Sequence, residues 1–428
     1  MSTFDAPLPL FVVQAVLVIV TSRVLGATAR RFGQPLVIAE IAAGILLGPS
    51  FLGWLLPGVE AAIFPAKSMQ LLGLLSQIGL ILFMFLVGLE FDPKILKGRT
   101  HSSVAISHSS IVVPFSLGAI LAWRLHAQYA PAGVPLTSFT LFMGTAMSIT
   151  AFPVLARILS ERNLLRTKVG MIAITCAAID DVTAWCILAF VVSIARSATL
   201  TGAVKTSALT ILYIAVMFLA ARPLLRRWLD RISAGLTQNL IAVALVFLLL
   251  SSWVTELIGI HALFGAFLFG AILPKEGNIA SGIAHKLGDL VVVLMLPLFF
   301  AYSGLRTQVG LLDTAGTWFV CAWIVVLACI GKFGGSAVAA RLTGLSWREA
   351  SAIGTLMNTR GLMELVVLNI GLDLGVLSPV LFTMMVIMAL VTTFLTTPVL
   401  QRIYPIEELN RESVVPTSGV TYPVVEPP

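Results

Sequence analysis

Two adjacent carboxylates, Asp180 and Asp181, stand near the middle of a long apolar segment, residues 169–195. An ionisable side chain at membrane depth costs roughly 2.5–3.5 kcal/mol, which makes each of them a candidate for function. Neighbours on a helix point about 100° apart, so the two carboxylates can serve different surroundings. A structural strut to another helix would explain one Asp and leave the second unexplained.

The candidate basic partner for these carboxylates is Lys332, which is the only Lys at membrane depth in the sequence. Desolvation favours the neutral form of a buried amine and a nearby carboxylate favours its charged form, so a Lys–Asp pair is a proton site as well as a strut. The alternative is that Lys332 extends to the membrane surface. Apolar residues that continue toward Arg341 weaken that alternative.

Two apolar segments contain helix-breaking residues. In the first, Pro153 removes a backbone donor and disfavours helix at Phe152. The second carries the polar, glycine-bearing stretch 357–364, MNTRGLME. Interrupted helices in corresponding positions of two halves are typical of a transporter binding site. The sequence therefore predicts two discontinuous helices beside the carboxylates.

The polar residues of these breaks have predicted roles of their own. Arg360 and Glu364, one turn apart, with Asn358, would neutralise the partial charges of the broken helix, a mainly structural role. The alternative is a simple i,i+4 ion pair. Thr150 offers a hydroxyl or a carbonyl to an ion, although Thr is ordinary in membrane helices. Glu40 is assigned no role.

These residues need a membrane bundle to position them. The 428 residues are 58% apolar and only 11% charged, against about 25% charged in a soluble domain. Soluble enzymes, nucleic-acid binders and disordered proteins are thereby disfavoured. Thirteen apolar runs approach the roughly 20 residues that cross a bilayer: 10–26, 35–56, 69–90, 102–123, 136–156, 169–195, 206–225, 237–256, 259–274, 288–305, 315–340, 348–371 and 378–401. The broken spans are the fifth and the twelfth, which are seven spans apart and therefore cross the membrane in opposite directions. This arrangement predicts two inverted six-span repeats, with the seventh span connecting them.

The basic residues predict how this all-α bundle is oriented. Of the 27 Lys and Arg residues, 19 lie in one alternating set of loops and five in the opposite set. By the positive-inside rule, the N-terminus, 1–9, lies outside and the C-terminus in the cytoplasm of a multi-pass inner-membrane protein. The net charge of +7 is then an orientation signal, and no nucleic-acid partner is expected.

The remaining segments predict few additional features. The stretch 405–428 holds five prolines and no apolar periodicity, so it is predicted to be disordered. No G-x-x-x-x-G-K-[ST] loop is present, and the four cysteines lack metal or disulfide spacing. Neither a cofactor nor direct use of ATP is expected.

Four motifs carry a family resemblance: GQPLVIAEIAAGILLGPS at 33–50, FLVGLE at 85–90, TAFPVL at 150–155 and NTRGLMELVVLNIG at 358–371. Together they resemble the monovalent cation:proton antiporter-2 family, most of all its bacterial exchangers and the plant cation/H+ exchangers. The resemblance covers the membrane part only, and a Kef-type C-terminal nucleotide-binding domain is not expected from these 428 residues.

The resemblance implies the fold of the sodium/proton antiporters, in which a dimerisation scaffold stands beside a core with two crossing broken helices, and it implies a homodimer. It assigns cation binding to Asp181 and pairs Asp180 with Lys332. The implied division is scaffold helices at 10–90 and 237–305, core helices at 102–195 and 315–401, and a connecting helix at 206–225.

The expected function is secondary antiport of one monovalent cation, Na+ or K+, for protons by alternating access. Burial favours the protonated form of Asp181, so a proton and a cation exclude each other there. Release of the Asp180–Lys332 pair would allow more than one proton per cation. Many Kef-type and plant relatives have Gln-Asp or Asn-Asp at this pair, so Asp-Asp favours an electrogenic, sodium-competent site, while the overall sequence favours potassium.

Two other classes are weaker. An ion channel needs a conduction path open to both sides, commonly lined by carbonyl or charged rings. An intramembrane aspartyl protease carries G-x-G-D, whereas the nearest string here, KLGD at 286–289, lacks the first Gly. Adjacent carboxylates on one helix also cannot flank a scissile bond from opposite sides.

Overall fold

The structure is a computed structural model that describes residues 7–90, 101–161, 164, 167–196, 200–230, 237–274 and 279–404. Within these residues every regular element is helical. The predicted disordered stretch 405–428 lies outside the described residues.

Twenty α-helices make up the described chain. In order they are α1 Pro7–Arg31, α2 Leu36–Leu47, α3 Leu52–Leu55, α4 Pro57–Ile63, α5 Ala66–Glu90, α6 His101–Tyr129, α7 Leu136–Ser148, α8 Phe152–Glu161, α9 Lys168–Arg196, α10 Leu200–Val216, α11 Arg222–Asp230, α12 Gln238–Ile258, α13 Ala262–Ile272, α14 Ile279–Leu290, α15 Leu296–Leu305, α16 Ala315–Cys329, α17 Gly335–Leu342, α18 Trp347–Met357, α19 Leu362–Asp373 and α20 Pro379–Ile403. Three π-helical turns join consecutive helices, at Met217–Ala221, Val291–Met295 and Ile330–Gly334, and a 3-10 turn covers Val309–Leu311.

The described helices fit a membrane protein. Ten helical segments are long and apolar enough to span a bilayer. On α1, Val12, Val16, Val20 and Val24 recur every four residues, and half or more of each is exposed. The predicted all-α membrane class is therefore confirmed. The short α13 and the broken pairs α7–α8 and α18–α19 lie in the three other predicted spans, and the exact count of thirteen remains a prediction.

Local sequence signals fix where several helices begin. The side chain of Ser346 accepts from the backbone N–H of Glu349 at 3.2 Å, and the Glu349 carboxylate accepts from the Ser346 N–H at 2.8 Å. This reciprocal cap starts α18. Ser378 caps α20, with Pro379 at its first position, where the missing N–H costs nothing.

The helices pack in two sets that adjoin each other. In the first, α2 packs against α1 and α15, and α5 packs against α13 and α15. In the second, α6 packs against α7, α9, α17 and the π turn Ile330–Gly334, while α18 contacts α9, α17 and α20. The predicted scaffold and core boundaries remain predictions.

Glycines allow α5 and α13 to approach closely. A Cβ atom on Gly88 would overlap the backbone carbonyl oxygen of Phe267, and one on Gly270 would overlap that of Phe85. Small residues at helix contacts are a common way to bring membrane helices together. At Gly288, by contrast, a Cβ atom would meet open space.

We expect Gly88→Ala and Gly270→Ala to destabilise the protein by about 1–3 kcal/mol each, because the added methyl forces the two backbones apart. Gly288→Ala is the matched control, since it adds the same methyl without a clash. Thermal unfolding in detergent measures the difference. Equal melting temperatures for all three variants would contradict the packing described for α5 and α13.

Candidate functional site

The two predicted helix interruptions lie against each other inside the protein. The backbone N–H of Ala151, between α7 and α8, donates to the carbonyl oxygen of Thr359, between α18 and α19, at 3.1 Å. The Thr150 hydroxyl lies 3.3 Å from the Met357 carbonyl oxygen, also across the two breaks. Each interruption exposes unpaired carbonyls of one helix and N–H groups of the next. The partial charges of four helix ends therefore converge here.

Arg360 satisfies one set of these free carbonyls. Its guanidinium donates to the carbonyl oxygens of Ala146 at 3.0 Å and Met147 at 2.7 Å, both in the last turn of α7. It also pairs with the Glu364 carboxylate at 3.0 Å, and both side chains are fully buried. The Thr393 hydroxyl of α20 accepts from the Arg360 N–H at 3.0 Å. These contacts match the charge-compensating role that the sequence predicts, which stays a proposal.

Asn358 caps the end of α18 at the second break. Its side-chain amide donates to the sulfur of Cys329 at 3.5 Å. Cys329 directly precedes the π turn that carries Lys332. Asn358 therefore connects the break to the helix that supplies the buried amine.

Lys332 reaches the site because two glycines beside it let the π turn approach α6. A Cβ atom on Gly331 would lie 2.8 Å from Cα of Pro114, and one on Gly335 would lie 3.0 Å from the carbonyl oxygen of Ser109. The Ser109 hydroxyl also donates to the Gly335 carbonyl at 2.8 Å. The Lys332 side chain is fully buried, so it does not extend to the membrane surface.

The Asp180 carboxylate is surrounded by donors. The hydroxyl of Ser107 donates to Oδ1, and that of Ser110 donates to Oδ2. The Thr150 hydroxyl donates to Oδ2 at 2.8 Å, and Lys332 Nζ lies 3.2 Å from the same oxygen. Lys332 Nζ also donates to the Thr150 hydroxyl oxygen at 2.6 Å. Asp180 therefore has three hydroxyl donors and one ammonium group.

Asp181 has the opposite environment. It is 4% exposed, and neither carboxylate oxygen has a hydrogen-bond partner in the part of the chain that the structure describes. The N–H of Phe152, at the start of α8, faces this carboxylate without closing a hydrogen bond. A buried charge without a partner is strongly unfavourable. Asp181 is therefore suited to hold a proton or a cation.

The structure thus brings together all the site residues that the sequence predicts, and it adds Ser107 and Ser110, which sequence reasoning missed. The available signal was the spacing of Ser103, Ser107 and Ser110, which fall on one face of α6 at i, i+4 and i+7. Serine is ordinary in membrane helices, so this pattern alone did not stand out.

A second polar cluster lies at the predicted extracytoplasmic end. Arg306, which follows α15, pairs with Asp373 of α19 at 2.6 Å and donates to the amide oxygen of Asn369 at 3.0 Å. Asn369 in turn donates to the Ser303 hydroxyl of α15 at 2.7 Å. These contacts join the first set of helices to α19, the second half of the broken pair.

This arrangement defines a class of protein. Buried charges at two apposed helix interruptions in an all-helical membrane fold are the features of a secondary transporter. Residues 16–404 match the family described as "Sodium/hydrogen exchanger, transmembrane". The chain belongs to this sodium/hydrogen exchanger family, whose members are transporters and not enzymes.

Individual relatives extend this result. The chain is 45% identical over 399 residues to the Na+/H+ antiporter NhaS4 of Synechocystis sp., covering 92% of this chain and 97% of NhaS4. It is 42% identical over 410 residues to cation/H+ antiporter 18 of Arabidopsis thaliana, covering 94% of this chain and 50% of the relative. It is 34% identical over 415 residues to the K+/H+ antiporter 1 of Saccharomyces cerevisiae, covering 94% of this chain and 46% of the relative. The chain therefore spans about half the length of these plant and yeast relatives.

A solved structure has the same fold. The sodium proton antiporter MjNhaP1 from Methanocaldococcus jannaschii superposes with a TM-score of 0.66 at 13% identity, covering 93% of this chain and 98% of MjNhaP1. At this identity the likeness concerns the fold alone. It confirms the antiporter fold that the sequence motifs imply.

We expect Arg360→Gln to destabilise the protein by about 3–5 kcal/mol, because it leaves the buried Glu364 carboxylate and two α7 carbonyls without a partner. The double variant Arg360→Gln/Glu364→Gln is expected to recover part of this loss. Lys168→Gln is the control, since it breaks an exposed ion pair with Glu349 worth less than about 1 kcal/mol. Thermal unfolding in detergent measures the three variants and the wild-type protein. Equal losses for Arg360→Gln and Lys168→Gln would contradict the structural role of Arg360.

Proposed function

We propose that this protein exchanges a monovalent cation, Na+ or K+, for protons across a membrane. The observation that supports this most directly is the contrast between the two adjacent carboxylates: Asp180 is satisfied by four donors, whereas Asp181 is buried without a hydrogen-bond partner in the described residues. Burial without a partner favours either a bound proton or a bound cation on Asp181. Competition between the two for one carboxylate couples their movements.

The neighbouring helix ends define which oxygen atoms remain free for a cation. Carbonyl oxygens and helix C-termini at interrupted helices coordinate cations in transporters, whereas half-helix N-termini favour anionic groups. Because Arg360 occupies the carbonyls of Ala146 and Met147, the charge of that helix end is already compensated. The Thr150 hydroxyl is already bonded to Asp180 and Lys332, so we propose the Thr150 backbone carbonyl and the Asp181 carboxylate as the oxygen donors for the cation.

The relatives' names leave the transported ion open. NhaS4 is named an Na+/H+ antiporter, and the yeast relative is named a K+/H+ antiporter. We therefore propose both Na+ and K+ as candidate substrates. The same proposal includes a homodimer in a cell membrane with its C-terminus in the cytoplasm and a role in pH homeostasis.

A channel is the second class to consider, and the site does not favour it. Lys332 and Arg360 are buried cations at the point where the two interruptions meet. The fixed positive charges of these side chains repel a cation, so they oppose the continuous row of cation sites that a cation channel needs. A carrier that moves one ion at a time does not need such a row.

Alternating access requires that the two sides of the site open in turn, so the contacts that close one side must break when that side opens. Arg306–Asp373 is such a contact, because it joins α15 to α19. A second ion pair, Arg196–Glu256 at 2.9 Å, joins the ends of α9 and α12 at the same predicted extracytoplasmic end. We propose that the described conformation is closed on this side and that both pairs separate when it opens.

Replacement of Asp181 by Asn should abolish exchange, because an amide can neither take up a proton nor balance a cation's charge. The measurement uses purified protein in liposomes with a trapped pH dye, with each cation added with and without a clamped membrane potential. Asp313→Asn, at an exposed loop carboxylate, is the matched control and should exchange normally. Collapse of a pH gradient by Asp181→Asn upon addition of Na+ or K+ would contradict the proposal.

Loss of the Arg306 charge should favour opening of the predicted extracytoplasmic side. A small cavity between α5, α13, α15 and α19 is lined by Ser76, so Ser76→Cys in a protein without native cysteines reports on opening. We expect Arg306→Gln to speed maleimide labelling roughly fivefold, which corresponds to about 1 kcal/mol. Arg341→Gln is the control, because Arg341 bonds the nearby Leu345 carbonyl. The same labelling rate in both variants would show that Arg306 does not hold this side closed.

A further inference from the structure

The α6 serines contact both oxygens of the Asp180 carboxylate, whereas Lys332 contacts only one of them. Lys332 Nζ is 3.2 Å from Asp180 Oδ2 but only 2.6 Å from the Thr150 hydroxyl oxygen. The hydroxyls of Ser107 and Ser110, by contrast, each donate a close hydrogen bond to a different Asp180 oxygen. Lys332 is therefore shared between Thr150 and one Asp180 oxygen, whereas the two serines bind both oxygens of the carboxylate.

The serine contacts are built into the fold. Both side chains are fully buried, and α6 packs against both α9 and the π turn Ile330–Gly334. Hydrogen bonds to an ionised acceptor are stronger than those between neutral groups. The charged groups around Asp180 are Asp181 on its own helix and Lys332, with Arg360 and Glu364 electrostatically coupled to Lys332 across the break. Serine is neutral, so its hydrogen bonds to Asp180 do not require a charge on any of these other groups.

We propose that Ser107 and Ser110 are positioning residues that keep Asp180 out of the cation's coordination shell. This inference rests on the proposed function. Without the serines, Asp180 is held through Oδ2 alone, by Thr150 and Lys332, and Oδ1 has no donor. Adjacent Cα atoms are about 3.8 Å apart, so Oδ1 can then turn toward an ion on Asp181. Affinity for a cation rises with the number of charged ligands. A single carboxylate therefore binds weakly enough for rapid release, whereas two would hold the ion.

The double variant Ser107→Ala/Ser110→Ala tests this directly. We expect the KM for Na+ to fall at least about threefold and the maximal rate to fall with it, because the second carboxylate joins the ion. The KM for Na+, the smaller ion, should fall by a larger factor than the KM for K+. Ser107→Thr/Ser110→Thr keeps both hydroxyls and should restore the wild-type values. Ser116→Ala, on the same helix with its hydroxyl bonded to the Val112 carbonyl, is the matched control.

A second measurement separates this inference from the proposed function. The Na+ concentration that half-maximally raises the melting temperature reports binding without transport, and it should fall in the double variant. If the double variant does not fold, each single variant is measured, and each should shift in the same direction. An unchanged or higher KM and half-maximal concentration would overturn the role of the serines. Absence of exchange by the wild-type protein would instead overturn the proposed function, while the binding comparison still tests the serines.

Discussion

The structure depends on one constraint, which is that charges and unpaired backbone groups inside a membrane must be satisfied by the protein itself. Asp180 meets this constraint through Ser107, Ser110, Thr150 and Lys332. Asp181, one residue later on the same helix, does not meet it within the described residues. In our account this difference makes Asp181 the position where a proton and a cation compete.

The other residues of the site position this pair of carboxylates beside the two helix interruptions. The interruptions supply polar backbone at membrane depth. Arg360 donates to two carbonyl oxygens at one of the resulting helix ends and pairs with Glu364, and we propose that the two compensate the charge of that end. Glycines beside Lys332 let its π turn reach α6, so the buried amine and the serines meet at one carboxylate. Polar contacts and close helix packing are therefore parts of the same arrangement.

The sequence predicted the parts of this arrangement that depend on local pattern. Apolar runs marked the helices, Pro153 and the polar stretch near Gly361 marked the interruptions, and spacing paired Arg360 with Glu364. Apart from the Asp180–Lys332 pair, which the family resemblance implied, the sequence did not predict contacts between helices that are distant in the chain. The partners of Arg360 in α7 and the serines around Asp180 follow from how α6, α7 and α9 pack, and a single sequence contains no record of that packing.

We propose that Asp181, not Asp180, exchanges its proton for the cation. Infrared difference spectroscopy of the purified protein tests it, because a protonated carboxyl group has a carbonyl band that disappears when a cation displaces the proton. We predict that addition of Na+ or K+ removes such a band in the wild-type protein and not in Asp181→Asn. Loss of the same band in Asp181→Asn would contradict the account.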